Sequence, residues 1–262
     1  MRIFILTLDE PFFLPDFFEK IIAERLNDVV GIGVTSPFPR KLWIKHILKQ
    51  FQLHGFFDFL MYLYNYGITK FCDFIGLRYK NKSYFSVIKL AKNYNIPVYK
   101  IGSPNDPSFL KILRALNLDV IICQVSHVLS EELLVIPRLG CINRHSSLLP
   151  KYRGLYPVFW AMLNGEKETG VSIHLMDRSI DRGRIICQKI VKIYDDDTCY
   201  EIYHRTFEAG ARLVLEALKV LEEDKGQEKF LRSRQGKYYS SPTREAIRKF
   251  RKMGKRFGSP LS

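Results

Sequence analysis

Short apolar runs alternate with amphipathic stretches through the first half of this 262-residue chain. Hydrophobic blocks at residues 3–8, 29–35, 97–101, 120–123 and 139–142 have the length and β-branched content of buried strands. Between them, residues 17–26, 84–93 and 107–116 read as helices with one buried face, and a shorter helix is expected near 130–134. Asp106 marks one start: its carboxylate can accept a hydrogen bond from a first-turn N–H, and Pro107 suits the first helical position because its missing donor would be unpaired there anyway. This alternation predicts an α/β fold, a mostly parallel sheet with helices on both faces. After Gly154 the rhythm changes to a helix over 156–163, strands over 170–175 and 185–193, and a long helix over 200–221. Runs at 229–231 and 237–240 flank Gln235-Gly236 and predict a hairpin; Pro242-Thr243 opens a terminal helix. The expected organisation is a catalytic-sized domain over 1–223 and a small C-terminal hairpin and basic helix over 224–262.

Residues 38–79 interrupt the alternation. They hold a basic amphipathic stretch, Lys41 to Phe51, and an aromatic-rich one, Phe56 to Tyr66. Lysines on one face and aromatics on another suit an anionic membrane surface. Aromatic stripes at helical spacing are more often buried in a core or between two copies of a chain. That is the favoured expectation, because large exposed apolar patches are rare on monomers. Peripheral membrane contact and a homodimer both stay open.

A hydrophobic content of 47% and a charged content of 26% are ordinary for a globular protein and argue against disorder. The five cysteines are scattered without a C-x-x-C pair, so small buried hydrophobes in a reducing compartment are expected, with no metal site. The apolar run at 1–8 is too short for a signal peptide, is followed by Asp9 and Glu10, and reads as a first strand. No stretch reaches the roughly 18 apolar residues of a membrane span; a cytoplasmic location is expected. The formal charge of +14 points to anionic partners, whether RNA, a lipid surface or small polyanions. Seven basic residues against one acid over 244–256 account for much of it. Gly31-Ile32-Gly33 lacks the third glycine and helix start of a dinucleotide fingerprint.

The chemistry-bearing residues cluster later. Asn143 and His145 stand two apart at the end of an apolar run, so strand geometry puts both on one face. Asp181 precedes Gly183 and the apolar Ile185-Ile186, as in a loop feeding a strand. Taken singly, each is more often a capped turn or a surface ion pair. Together an amide donor, an imidazole and a carboxylate are the equipment of acyl transfer. Gln124 to Val128 follow the strand at 120–123, whose end faces ligands in parallel sheets. His174 is expected to line or support the same place.

Asn143-x-His145, the run Ser147-Leu148-Leu149-Pro150-Lys151-Tyr152-Arg153-Gly154, Asn164-Gly165-Glu166, Thr169-Gly170-Val171-Ser172-Ile173-His174 and Asp181-x-Gly183 closely resemble the folate-dependent formyltransferase family. That family includes methionyl-tRNA, glycinamide ribonucleotide and sugar N-formyltransferases. The resemblance is dense from about residue 93 to 221 and thin outside it. It implies a Rossmann-like sheet, N10-formyltetrahydrofolate as formyl donor, a primary amine as acceptor, and catalytic roles for Asn143, His145 and Asp181. Asp181 is expected to hold His145 and raise its pKa. Gln124, Val125, Ser126, Leu149, Pro150, Gly154 and Met176 are the expected donor-binding residues. The chain departs from the family pattern at Arg144, where an apolar residue is usual, and at Ser146, where proline is common. It departs again at Thr7-Leu8-Asp9-Glu10-Pro11, unlike the Gly-Thr-Pro-Glu-Phe type of start. Residues 222–262 are shorter than the barrel-like domain of methionyl-tRNA formyltransferases, so a small-molecule acceptor, a nucleotide-linked amino sugar, is the expected partner. Methionyl-tRNA as acceptor, hydrolysis of the formyl donor, and a non-catalytic membrane module are the rival readings.

Overall fold

A computed structural model describes residues 1–35, 43–80, 82–223 and 236–261. Its first half runs β1 (Ile3–Leu8), α1 (Leu14–Arg25), β2 (Val29–Thr35), α2 (Trp43–His54), α3 (Phe56–Ile75), α4 (Val87–Asn93), β3 (Val98–Ile101), α5 (Pro107–Ala115) and β4 (Val120–Gln124). Then follow α6 (Glu131–Leu134), β5 (Gly140–His145), β6 (Arg153–Gly154), α7 (Pro157–Leu163), β7 (Glu168–Leu175), β8 (Ile185–Lys192), α8 (Cys199–Glu223), β9 (Tyr238–Tyr239) and α9 (Arg244–Lys252). The main sheet has the order β3-β2-β1-β4-β5-β7-β8. Its first five strands are parallel, and β7 and β8 extend it antiparallel. This is the Rossmann-like arrangement expected.

Alternation along β1 explains why both faces are covered. Ile3 and Ile5 enter a core with α1, α4 and α8, whereas Phe4 and Leu6 enter a second core with α5 and Leu133 of α6. Gly31 and Gly33 serve packing: a Cβ on either would stand about 3 Å from the Phe4 ring. Asp106 caps α5 by accepting from the Ser108 N–H at 2.9 Å, as its sequence position predicts. The start of α1 is less local. The Glu10 carboxylate accepts from the N–H groups of Phe12, Phe13 and Leu14, satisfying donors that a helix start leaves open, so the helix begins at Leu14 and not at residue 17.

The α2–α3 pair departs from expectation. The buried residues of α3 are Asn65, Thr69 and Cys72, while Phe57 and Phe74 are 79% and 85% exposed. A buried core is therefore not what takes up this aromatic face. At the other end of the chain, β9 pairs in parallel with β6. The run at 229–231 and Gln235 of the expected hairpin lie outside the described residues, as does Lys41. Thr243 caps α9, whose Ile247 and Phe250 join Phe257, Phe159 and Ile202 in a third core. That core holds α7 and the turn through Tyr152 beneath the end of β5.

Candidate active site

The end of β5 carries the first two side chains. Its register sets Asn143 beside Cys123 of β4 and opposite His174 of β7. Asn143 and His145 share one side of the strand; Arg144 takes the other. Asp181 arrives from the loop between β7 and β8, where it adopts a left-handed backbone (φ +52°). That loop turns back so closely that a Cβ at Gly183 would stand 1.6 Å from the Leu175 carbonyl oxygen. Only glycine fits there, and the tight return carries Asp181 over the end of β7. The three residues expected to act together do converge. Asp181 Oδ2 lies 3.6 Å from His145 Nδ1, and Oδ1 lies 3.5 Å from His174 Nε2. The Gly154 N–H donates to Oδ2 at 2.8 Å and fixes the carboxylate in place.

Burial would push the Asp181 carboxyl up, but His145, His174 and the Gly154 N–H outweigh it and draw the pKa down to about 2. Burial also dominates at His145, whose pKa falls below its ordinary value although Asp181 pulls the other way. The expected rise is therefore reversed: desolvating the imidazolium costs more than one carboxylate at ion-pair distance returns. His145 is held as a neutral base. Its Nε2–H donates to the Tyr152 carbonyl at 2.8 Å, which leaves Nδ1, facing Asp181, as the nitrogen free to take a proton.

The amide of Asn143 is oriented by its neighbours. Gln124 Nε2 donates to Asn143 Oδ1 at 3.0 Å, so the Asn143 NH2 turns towards His174 Nε2, 3.2 Å away. His174 Nδ1 lies 2.9 Å from the Leu175 carbonyl, which fixes the ring between that carbonyl, Asn143 and Asp181. Gln124 is set in turn by Arg144, whose Nε donates to Gln124 Oε1. Arg144 is only 8% exposed, and burial draws its pKa down to about 9. The guanidinium lies 3.6 Å from the Phe207 ring centroid and donates to Ser146 Oγ at 2.7 Å. The two positions at which the chain leaves the family pattern after Asn143 are thus bonded to each other. Gly210 leaves room for them, since a Cβ there would lie 2.6 Å from Arg144 Cδ.

These side chains border a cavity of about 870 Å³. Gln124, Val125, Ser126, Gly154 and Met176 line it as expected. Leu149 and Pro150 are not among the residues that line it. Leu149 is buried behind the site, its N–H donating to Ser172 Oγ and its carbonyl accepting from Gln188. At the β4 edge His127 Nδ1 is buried without a hydrogen-bond partner among the described residues, an open polar atom that suits the polar ring edge of a pterin. Sequence reasoning missed Glu10. Its carboxylate lines the cavity, with its pKa pushed up by burial against three backbone N–H donors. Its position just after β1 was its only signal. The aromatic wall, with Phe13, Tyr62, Tyr66 and Tyr200, comes from the turn before α1, from α3 and from the start of α8.

A family model described as formyl transferase matches residues 70–218. The methionyl-tRNA formyltransferase of Caldanaerobacter subterraneus is 41% identical over 145 residues, 55% of this chain and 47% of the relative. That of Clostridioides difficile is 41% identical over 138 residues, 45% of its length. The chain thus matches about half the length of these curated relatives. Among solved structures, a sugar N-formyltransferase from a Shewanella species superposes with a TM-score of 0.60 at 19% identity, over 96% of this chain and 87% of that one. An N-formyltransferase from Helicobacter canadensis, in complex with folinic acid and dTDP-3-aminofucose, gives 0.58 at 17% identity over 97% and 81%. The phosphoribosylglycinamide formyltransferase of Bacillus halodurans gives 0.60 at 19% identity over 86% and 97%. At these identities the structural likeness is one of fold.

Proposed function

The chain belongs to the formyl transferase family, and we propose that it moves the formyl group of N10-formyltetrahydrofolate onto a primary amine. The observation that carries this reading is the convergence of Asn143, His145 and Asp181 on one cavity, with 3.6 Å between imidazole and carboxylate. The folate co-substrate supplies an activated formyl carbon, and the open nitrogen of His127 with Gln124, Val125 and Met176 supplies an edge to receive it. A bond forms from the amine nitrogen to that carbon, the bond to N10 breaks, and one proton passes from amine to N10. Asn143 Nδ2 donates to the formyl oxygen as it gains negative charge, an effect worth about 3 kcal/mol for one such donor. His145 Nδ1 takes the amine proton, directly or through a water, and Asp181 pairs with the imidazolium that results. Gln124 keeps the Asn143 amide the right way round for this task.

For the acceptor, the reading is a nucleotide-linked amino sugar. A cavity walled by tyrosines, with the buried Arg144 guanidinium at its side, supports an anionic acceptor with a planar group. Methionyl-tRNA is the second reading, favoured by the 41% identity to methionyl-tRNA formyltransferases across the site-bearing region. The test is an assay with N10-formyltetrahydrofolate and two acceptor sets, nucleotide-linked amino sugars and methionyl-tRNA, read by mass spectrometry of the acceptor. A formylated sugar is expected. A formylated tRNA alone selects the second reading, and formate released equally with or without any amine would replace both with hydrolysis.

A further inference from the structure

Helix α3 is amphipathic the wrong way round for a helix packed on a protein core. Its inner side mixes polar contacts, Asn65 donating to Ser259 Oγ at 2.7 Å and Asp58 Oδ2 accepting from the Gly258 N–H at 2.9 Å, with the packing of Tyr62 on Phe12 and His54. Its outer side presents Phe57, Met61, Tyr64, Phe71 and Phe74, spaced three, four or seven apart on one stripe. Phe57, Phe71 and Phe74 are 79%, 62% and 85% exposed. Helix α2 continues the surface with Ile44 and Leu48, both more than half exposed. So large an apolar face on a single chain marks an interaction site.

Charge selects the occupant. From residue 43 to 80 the only acids are Asp58 and Asp73, with side chains 14% and 17% exposed, the first near Arg256 and the second paired with Lys89. The cations Lys45 and Arg78 are exposed, one at the start of α2 and the other just beyond α3. A second copy meeting this face with its own would offer these cations no exposed acid from residues 43–80 as a partner. A surface of acidic lipid headgroups supplies the missing sign, with acyl chains below for the aromatic stripe. Among the described residues no helix is long and apolar enough to cross a membrane, so the helices would lie in the plane of the interface. We propose that the outer face of α2 and α3 is a docking surface for anionic membrane lipid. The same two helices contribute Gln50, His54, Tyr62 and Tyr66 to the wall of the cavity, on their inner flank.

The test needs no knowledge of the reaction. The full chain is sedimented with vesicles of phosphatidylcholine alone and of phosphatidylcholine with phosphatidylglycerol. The wild type is expected to bind the acidic vesicles and to release as salt rises. Phe57→Ser, Phe71→Ser and Phe74→Ser combined should lower binding at least tenfold with an unchanged melting temperature, since none of the three is buried. Lys45→Gln with Arg78→Gln should lower it about five-fold per cation removed. Absence of binding to acidic vesicles, or equal binding by the triple variant, overturns the proposal. So does a dimer mass in light scattering that the triple variant reduces to monomer without any vesicle binding, which gives the face to a second copy.

Discussion

Asp181→Asn isolates the electrostatics of the site. Asparagine keeps an oxygen for the Gly154 N–H and tolerates the left-handed backbone at φ +52°, so the loop has no steric reason to move. What it removes is a buried negative charge that the fold holds in its ionised form. The fall from the ordinary 3.8 to about 2, at 1.36 kcal/mol for each factor of ten in proton affinity, is worth about 2 kcal/mol. A depressed carboxyl contributes this stability in full above its unfolded value and loses it as the pH falls through the folded one. At pH 7 the variant should therefore be less stable than the wild type by about 2 kcal/mol. At pH 3 the gap should shrink to about 1 kcal/mol, and it should vanish below the folded value. Urea unfolding of both proteins at the two pH values measures the gap. A gap as wide at pH 3 as at pH 7, or a variant as stable as the wild type at neutral pH, would refute the reasoning.

Asn143→Ala should lower kcat about a hundredfold with little change in KM, because its donor acts on charge that develops during the reaction; steady-state kinetics with the identified acceptor would show it. The acid limb of kcat/KM should fall below pH 6.5, since His145 acts as a neutral base whose pKa burial has lowered. In Asp181→Asn that limb should move lower still, because the carboxylate's upward pull is gone; an upward move would contradict the assignment. Gly154→Ala should detach β9 from β6 and release the hydrogen bond to Asp181, because a Cβ there would stand 2.3 Å from the Tyr239 carbonyl oxygen at a backbone φ of +95°. Near-ultraviolet circular dichroism and activity would report the loss.

Much of the fold is local enough to read from residues. The blocks at 3–8 and 29–35 are the observed β1 and β2 to the residue, because strands buried on both faces are continuous apolar runs. Asp106 and Ser130 cap their helices through contacts within three residues. Asn143 and His145 were legible as a pair because strand period alone puts them on one face. What failed depends on distant chain. Glu10 starts α1 through backbone donors that no cap residue announces. Leu149 and Pro150 sit inside a motif that borders the site, yet Ser172 and Gln188 hold Leu149 away from the cavity. The pKa of His145 turned the other way because burial outweighs the pull of Asp181, and strand period says nothing of how deeply a side chain is buried. The outer aromatic face of α3 finds no core within this chain, because its inward side is already filled by Asn65, Asp58 and Tyr62 against Ser259, Gly258 and Phe12.

The most direct measurement is single-turnover transfer of a labelled formyl group from N10-formyltetrahydrofolate to the amine acceptor, by the wild type and by His145→Ala. The account predicts label on the amine with the wild type. In a variant that still unfolds cooperatively it predicts a rate at least a hundredfold lower. Transfer by His145→Ala at the wild-type rate would contradict it.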